Sequence, residues 1–177
     1  MNNELKDIRK LLDASYMDND KAKQHLAETN FKLDDELSGK RAKVFLKDGK
    51  PNVVFTGTKN RHDVINDAKI ILGFKDNSKR LKHSKKLIKD VKAKYGGEVK
   101  TLGHSYGGYL AEKSNKNGPV ITYNKLAMPH IQKKNKNQLD IRTHNDVASL
   151  MSSGNKRLTL NSKSYNPFVA HSTRSLR

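Results

Sequence analysis

Cysteine is absent from this 177-residue chain, and so is tryptophan. The first absence excludes disulfides, thiolate metal sites and a cysteine nucleophile together. The second removes one common anchor at membrane interfaces. No apolar run approaches the ~20 residues that span a bilayer, so no transmembrane segment is expected. The opening stretch, MNNELKDIRKLLDASYMDND, lacks the uninterrupted apolar run of a secretory signal. That reading expects a chain made and kept in the cytosol, or packaged into a particle such as a virion assembled there. Acidic residues are scarce: 18 Asp and Glu stand against 36 Lys and Arg, a net charge of +18. Such a surface attracts polyanions, either the headgroups of an anionic membrane or nucleic acid. Lysine dominates the cations and few aromatics interleave with them, which argues against base-specific readout and leaves non-specific, charge-held contact. A plain solubility effect in a Lys- and Asn-rich chain accounts for the charge equally well.

What remains is periodic. At this length one domain over 1–177 is expected, with a helical arm at 1–39 packed on a core at 40–177. Leu5, Ile8, Leu11, Leu12, Ala14 and Tyr16 form an apolar stripe at helical spacing, interrupted at Asp18–Asp20. No motif in the arm suggests chemistry, and Asn30–Gly39 reads as a polar, acidic loop. Ala42–Leu46 and Asn52–Thr56 read as strands around Asp48-Gly49, a strong hairpin signal. Helical patterns follow at Val64–Leu72 and Ser78–Lys94, the second very basic, closed by Gly96-Gly97. Further strands are predicted at Val120–Tyr123, Leu139–Thr143 and, at an edge, Lys156–Leu160. Strands alternating with helices imply a compact α/β-hydrolase-like class of fold: a mostly parallel sheet with helices on both faces and an antiparallel hairpin at its start.

The stretch richest in chemistry is Val99–Glu112, where a short apolar run stops at Gly103 and a helical face begins at Leu110. Between them stands Gly-x-Ser-x-Gly in a strand–turn–helix setting. Such a turn strains the serine backbone, so its neighbours must be tiny, and Gly103 and Gly107 supply that. The Ser105 hydroxyl is then presented at a helix N-terminus, with the Tyr106 amide as an oxyanion donor. A serine nucleophile needs a base and an orienting acid, which parallel-sheet hydrolases supply in the chain order Ser, acid, His. Asp146 lies just past a predicted strand, and His171 is the one histidine downstream of it. His144 is a weaker alternative base, and His104 reads as packed beneath the turn.

Five segments together resemble the class 3 (fungal-type) lipases. Val54-Phe55-Thr56-Gly57-Thr58, followed by Asp63 and Asp67, resembles that family's oxyanion strand and helix, and Gly-His-Ser-Tyr-Gly-Gly its nucleophile elbow. Ile121-Thr122-Tyr123-Asn124 through Met128-Pro129 resembles the next strand. Arg142–Val147 resembles the acid-bearing segment, and Asn166–Ser172 the histidine loop. The resemblance covers roughly 50–177. It implies an α/β-hydrolase fold, Thr58 as second oxyanion contributor, no metal and no cofactor, and a lipid or other carboxylic ester as substrate. Asp63 and Asp67 read as structural braces. The chain is short for this family and has no obvious lid; only Ile70–Phe74 offers a surface that could touch lipid. The reading is a serine esterase or lipase in which Ser105, His171 and Asp146 carry acyl transfer, with anionic phospholipid favoured over neutral fat. The rivals are a basic structural or binding protein on the same fold, and a peptidase or thioesterase using the same three residues.

Overall fold

A computed structural model describes residues 3–58, 79–126, 135–146, 156–161 and 171–173. The predicted helix at Val64–Leu72, with Asp63, Asp67 and Ile70–Phe74, lies outside these residues.

The amino-terminal arm is two helices, α1 (Asn3–Ala14) and α2 (Asn19–His25). Ile8, Leu11 and Leu12 recur at helical spacing and are buried, each contributing roughly 1.5–3 kcal/mol. The chain restarts at α2 because Asp18 caps it: its carboxylate accepts a 2.8 Å hydrogen bond from the Lys21 N–H.

Among the described residues seven strands form one sheet in chain order: β1 (Phe31–Leu33), β2 (Ala42–Lys47), β3 (Lys50–Phe55), β4 (Lys100–His104), β5 (Val120–Tyr123), β6 (Gln138–Thr143) and β7 (Lys156–Leu160). β1, β2 and β3 pair antiparallel, and β3 through β7 are parallel. The hairpin turns on Asp48 (φ 51°) and Gly49 (φ 73°). Two consecutive left-handed residues match strand twist, and they let β3 begin at Lys50, two residues before the predicted start.

One expectation needs correcting. Asn30–Gly39 is not all loop, because Phe31 pairs with Lys47 and Leu33 with Phe45 at the sheet edge. Three residues between Asn30 and Asp34 are too few to display an alternating pattern, and the partner strand supplies the order.

β3, β4 and β5 lie side by side in chain order, so right-handed crossovers place the described helices that join them on a single face. There lie α3 (Lys79–Tyr95) and α4 (Tyr106–Ser114), packed on Val44, Val53, Phe55, Val99 and Val120. On the opposite face the arm packs α1 on Phe45, Val54, Leu102, Ile121 and Tyr123. Alternation along each strand (Val44 to one side, Phe45 to the other) feeds both cores.

Candidate active site

The parallel strands end together, and the predicted site residues collect there. β4 stops at His104, and Ser105 adopts φ 56°, ψ −126° before α4 starts at Tyr106. A non-glycine residue held at positive φ is strained, and the packing around it maintains the strain. Two glycines make that packing feasible. A methyl group on Gly103 would fall on the backbone of Gly107 and Gly108, and one on Gly107 would fall on the Phe55 carbonyl. β3, β4 and the first turn of α4 therefore touch backbone to backbone. Ser105 is fixed further by its own amide, which donates to the Tyr123 carbonyl at 3.1 Å, and by its carbonyl, which accepts from Leu126 N–H at 3.2 Å.

The end of β3 approaches the same point. A side chain on Gly57 would lie 3.3 Å from the Ser105 Cβ and 2.6 Å from the His104 carbonyl. Thr58 is the next residue. Arg80, at the start of α3, donates to the Thr56 carbonyl at 2.7 Å and lies 4.7 Å over the Tyr106 ring, pinning β3 to the elbow helix.

Asp146 closes the turn that follows β6, with its amide bonded to the Thr143 carbonyl at 3.2 Å. Asn124, at the end of β5 with φ 41°, accepts from the Thr143 N–H at 2.9 Å and so ties the two strand ends. His171 arrives from 25 residues further along the chain, and its Nδ1 lies 2.7 Å from the Asp146 Oδ1. The Asp146 carboxyl is 2% exposed, so this hydrogen bond forms out of water, where it is strongest. The His171 Nε2 is buried and has no hydrogen-bond partner among the described residues. A proton-accepting nitrogen is therefore left open while its sister nitrogen is held. His144, the weaker alternative base, has its amide on the Leu160 carbonyl at the start of the same turn and is exposed.

Three contacts were not legible in the sequence. The Tyr16 hydroxyl lies 2.8 Å from the His104 Nδ1 and accepts from the Gly57 N–H at 3.1 Å, and the His104 Nε2 lies 2.6 Å from the His171 carbonyl. The arm, the end of β3, the elbow and the histidine segment are thus joined through one imidazole. Its ring is 4.9 Å from that of His171 and stacks on Tyr123 at 5.7 Å, whose hydroxyl bonds the Ser172 carbonyl at 3.3 Å. Burial, and secondly the His171 ring beside it, push the His104 imidazole down to about 3; burial pushes the Tyr16 phenol up to about 12. Both groups are neutral at pH 7.

A cavity of about 690 Å³ opens at the other end of the strands, between α1 and the β2–β3 hairpin, and none of the predicted site residues line it. Among the described residues no cluster of histidine and carboxylate side chains could hold a metal ion, and no helix is long and apolar enough to cross a membrane.

The family profile of the Tle-like phospholipase domain, a phospholipase-like group, matches residues 7–128. The chain belongs to that family. The match runs from within α1 to just past β5, so it takes in most of the arm, β3 and the turn that bears Ser105. Family membership makes the chain a carboxylic ester hydrolase acting on lipid esters. No curated protein matches it in sequence. Among solved structures, the Rhizomucor miehei lipase in its propeptide complex is similar in fold, with 14% identity, a TM-score of 0.57, and 98% of this chain covering 78% of that one. Lip2 lipase from Yarrowia lipolytica is similar too, with 13% identity, a TM-score of 0.59, and 90% of this chain covering 78% of that one. The lipase-like α/β-hydrolase fold of this family member is thereby established.

Proposed function

We propose that the chain hydrolyses carboxylic esters of phospholipids by an acyl-enzyme route in which Ser105 is the nucleophile, His171 the base and Asp146 its orienting acid. One observation carries this reading: the His171–Asp146 hydrogen bond of 2.7 Å, with the His171 backbone gripped by His104, the residue before Ser105. Asp146 accepts at Nδ1 and so fixes the proton there, leaving Nε2 as the acceptor for the serine proton. Attack forms the bond from the serine oxygen to the acyl carbon, and the proton passes to Nε2. The imidazolium, stabilised by Asp146, then protonates the departing alcohol, and water repeats the sequence on the acyl-enzyme. The negative oxygen of each tetrahedral intermediate is received by the Tyr106 amide, in the first turn of α4, and by the Thr58 amide. Gly57 is not that donor, because its N–H is committed to Tyr16.

The preference for anionic phospholipid rests on charge. With a net +18 and Lys79, Lys82, Lys85, Lys86, Lys89 and Lys92 all exposed along α3, attraction to a negative surface is built into one helix.

Turnover of a short-chain nitrophenyl ester by wild type and by Ser105→Ala tests the chemistry; activity that persists in the variant defeats it, and activity absent from both defeats it and favours a basic binding module. Hydrolysis of phosphatidylglycerol vesicles faster than phosphatidylcholine ones, with the difference shrinking as salt rises, tests the headgroup preference. Equal rates at low salt defeat that part alone.

A further inference from the structure

The proposed mechanism uses neither the buried His104 nor the half-buried Tyr16, yet both are polar groups placed where four segments meet. Tyr16 lies in a part of the chain where the sequence shows no chemistry. Its hydroxyl contacts partners 41 and 88 residues away.

Proton positions along this chain of bonds follow from what each group can do. The His171 carbonyl only accepts, so the His104 Nε2 carries the proton and donates it at 2.6 Å. A neutral imidazole then has a bare Nδ1, which accepts the Tyr16 O–H at 2.8 Å. The Tyr16 oxygen in turn accepts the Gly57 N–H at 3.1 Å. Every bond runs in one direction, from the start of the oxyanion loop through the arm and the elbow to the backbone of the base. The reverse tautomer would set an unprotonated nitrogen against a carbonyl oxygen.

We propose that Tyr16 and His104 are positioning residues: through this directed chain of hydrogen bonds they set the distance of the His171 ring and of the Gly57–Thr58 loop from Ser105. The inference rests on the serine-esterase reading. Three observations support it. The sheet grips the backbone of the base's own segment at two carbonyls, His171 through His104 and Ser172 through Tyr123. His104 directly precedes Ser105, so whatever fixes its ring relative to residue 171 also fixes base to nucleophile. The depressed basicity of His104 serves the same end, because a second positive ring 4.9 Å away would oppose formation of the His171 imidazolium.

The test combines kinetics with ring-nitrogen NMR. In wild type, the His104 ring is expected to give the pattern of a neutral Nε2–H tautomer, unchanged from pH 5 to pH 8. In Tyr16→Phe, which leaves the ring and its packing, kcat on a nitrophenyl ester is expected to fall about 10- to 100-fold with KM within about twofold. The amide signals of residues 171–173 should move as well. His104→Gln, which keeps one donor and one acceptor, should recover part of what His104→Leu loses. Wild-type kcat in Tyr16→Phe, or an Nδ1–H or charged His104 ring at pH 6, overturns the proposal. If Ser105→Ala retains activity, the esterase reading fails by itself, and the wild-type ring spectrum with the residue 171–173 shifts still decides whether the bond chain exists.

Discussion

Two polar networks are buried on opposite sides of the elbow, and they are built on different terms. On the arm side lie Tyr16, His104, His171 and Asp146, a row of single hydrogen bonds whose last ring nitrogen has no partner among the described residues. On the α4 side lies an ion cluster. Lys125, 3% exposed, reaches Glu112 at 2.6 Å and Asp140 at 3.4 Å; Gln138 donates to both carboxylates and Thr122 to Asp140; Lys113 meets Glu112 at 3.2 Å. Two ammonium groups face two carboxylates. Burial by itself would raise the Glu112 carboxyl, but the Lys125 charge, with the hydrogen bonds from Lys125 and Gln138, brings it net below its ordinary value. Only the Gln138 Oε1 is left over. The comparison separates two uses of buried polarity: the cluster closes on itself and holds, whereas the row stays open at one end and can take a proton.

The cluster holds something specific. The Lys125 stem passes so close to Gly108 that a methyl group there would lie 3.1 Å from its Cβ, and the next residue, Leu126, donates to the Ser105 carbonyl. Ion pairing thereby clamps the end of β5 against the elbow helix. It stabilises the turn without touching the chemistry.

Breaking each network should therefore fail differently. The largest effect is expected from Asp146→Asn, which alters the hydrogen bond at Nδ1 but little else. Ester turnover should drop by about 10⁴-fold while the urea midpoint stays close to wild type, so a variant within tenfold of wild-type kcat would remove Asp146 from the mechanism. Next is Lys125→Met, which takes away the buried cation that Asp140 shares with Glu112 and leaves Glu112 with Lys113. A cost of about 3–5 kcal/mol in urea unfolding is expected, and adding Glu112→Gln and Asp140→Asn should restore most of it. A Lys125→Met protein as stable as wild type would mean the cluster does not hold the elbow.

The smallest effect sharpens the comparison through pH. His104 is depressed in the folded chain to about 3 from an ordinary 6.5. Between those values the unfolded chain binds a proton that the folded chain refuses, so stability is complete above pH 6.5 and falls as pH drops toward 3. The slope is at most about 1.4 kcal/mol per pH unit. Asp34 and Glu112, whose carboxyls are held below their ordinary values, lose their contributions only under about pH 4.5. Unfolding measured at pH 5 and pH 6 thus lies above the range of these two carboxyls, and His104→Gln should flatten the difference. An unchanged slope in that variant would assign it to another group.

Much of this was legible in the residues. The Gly103–Gly107 string with an apolar run before it and a helical face after it marks a strained elbow, and Ser105 has positive φ. The chain order that selects Asp146 and His171 selects two side chains that meet at 2.7 Å. Asp48-Gly49 marks the hairpin. Other features carry no local signal. Lys125 is one lysine among 28 on paper, and only its burial between Glu112 and Asp140 sets it apart. β1 is three residues long and exists because β2 is beside it. Tyr16 looks like the last apolar position of an arm, since nothing near it in sequence indicates that its hydroxyl faces residue 104.

The sequence by itself determined what depends on neighbours along the chain: which segments alternate at period two or near four, where glycines allow a tight turn, and the large positive charge. Only the tertiary structure decided which buried polar atoms meet. Hydrogen bonds between residues 16 and 104, or 104 and 171, form after the sheet and its two covering layers have closed. Their geometry depends on ångström-scale positions that no local propensity encodes.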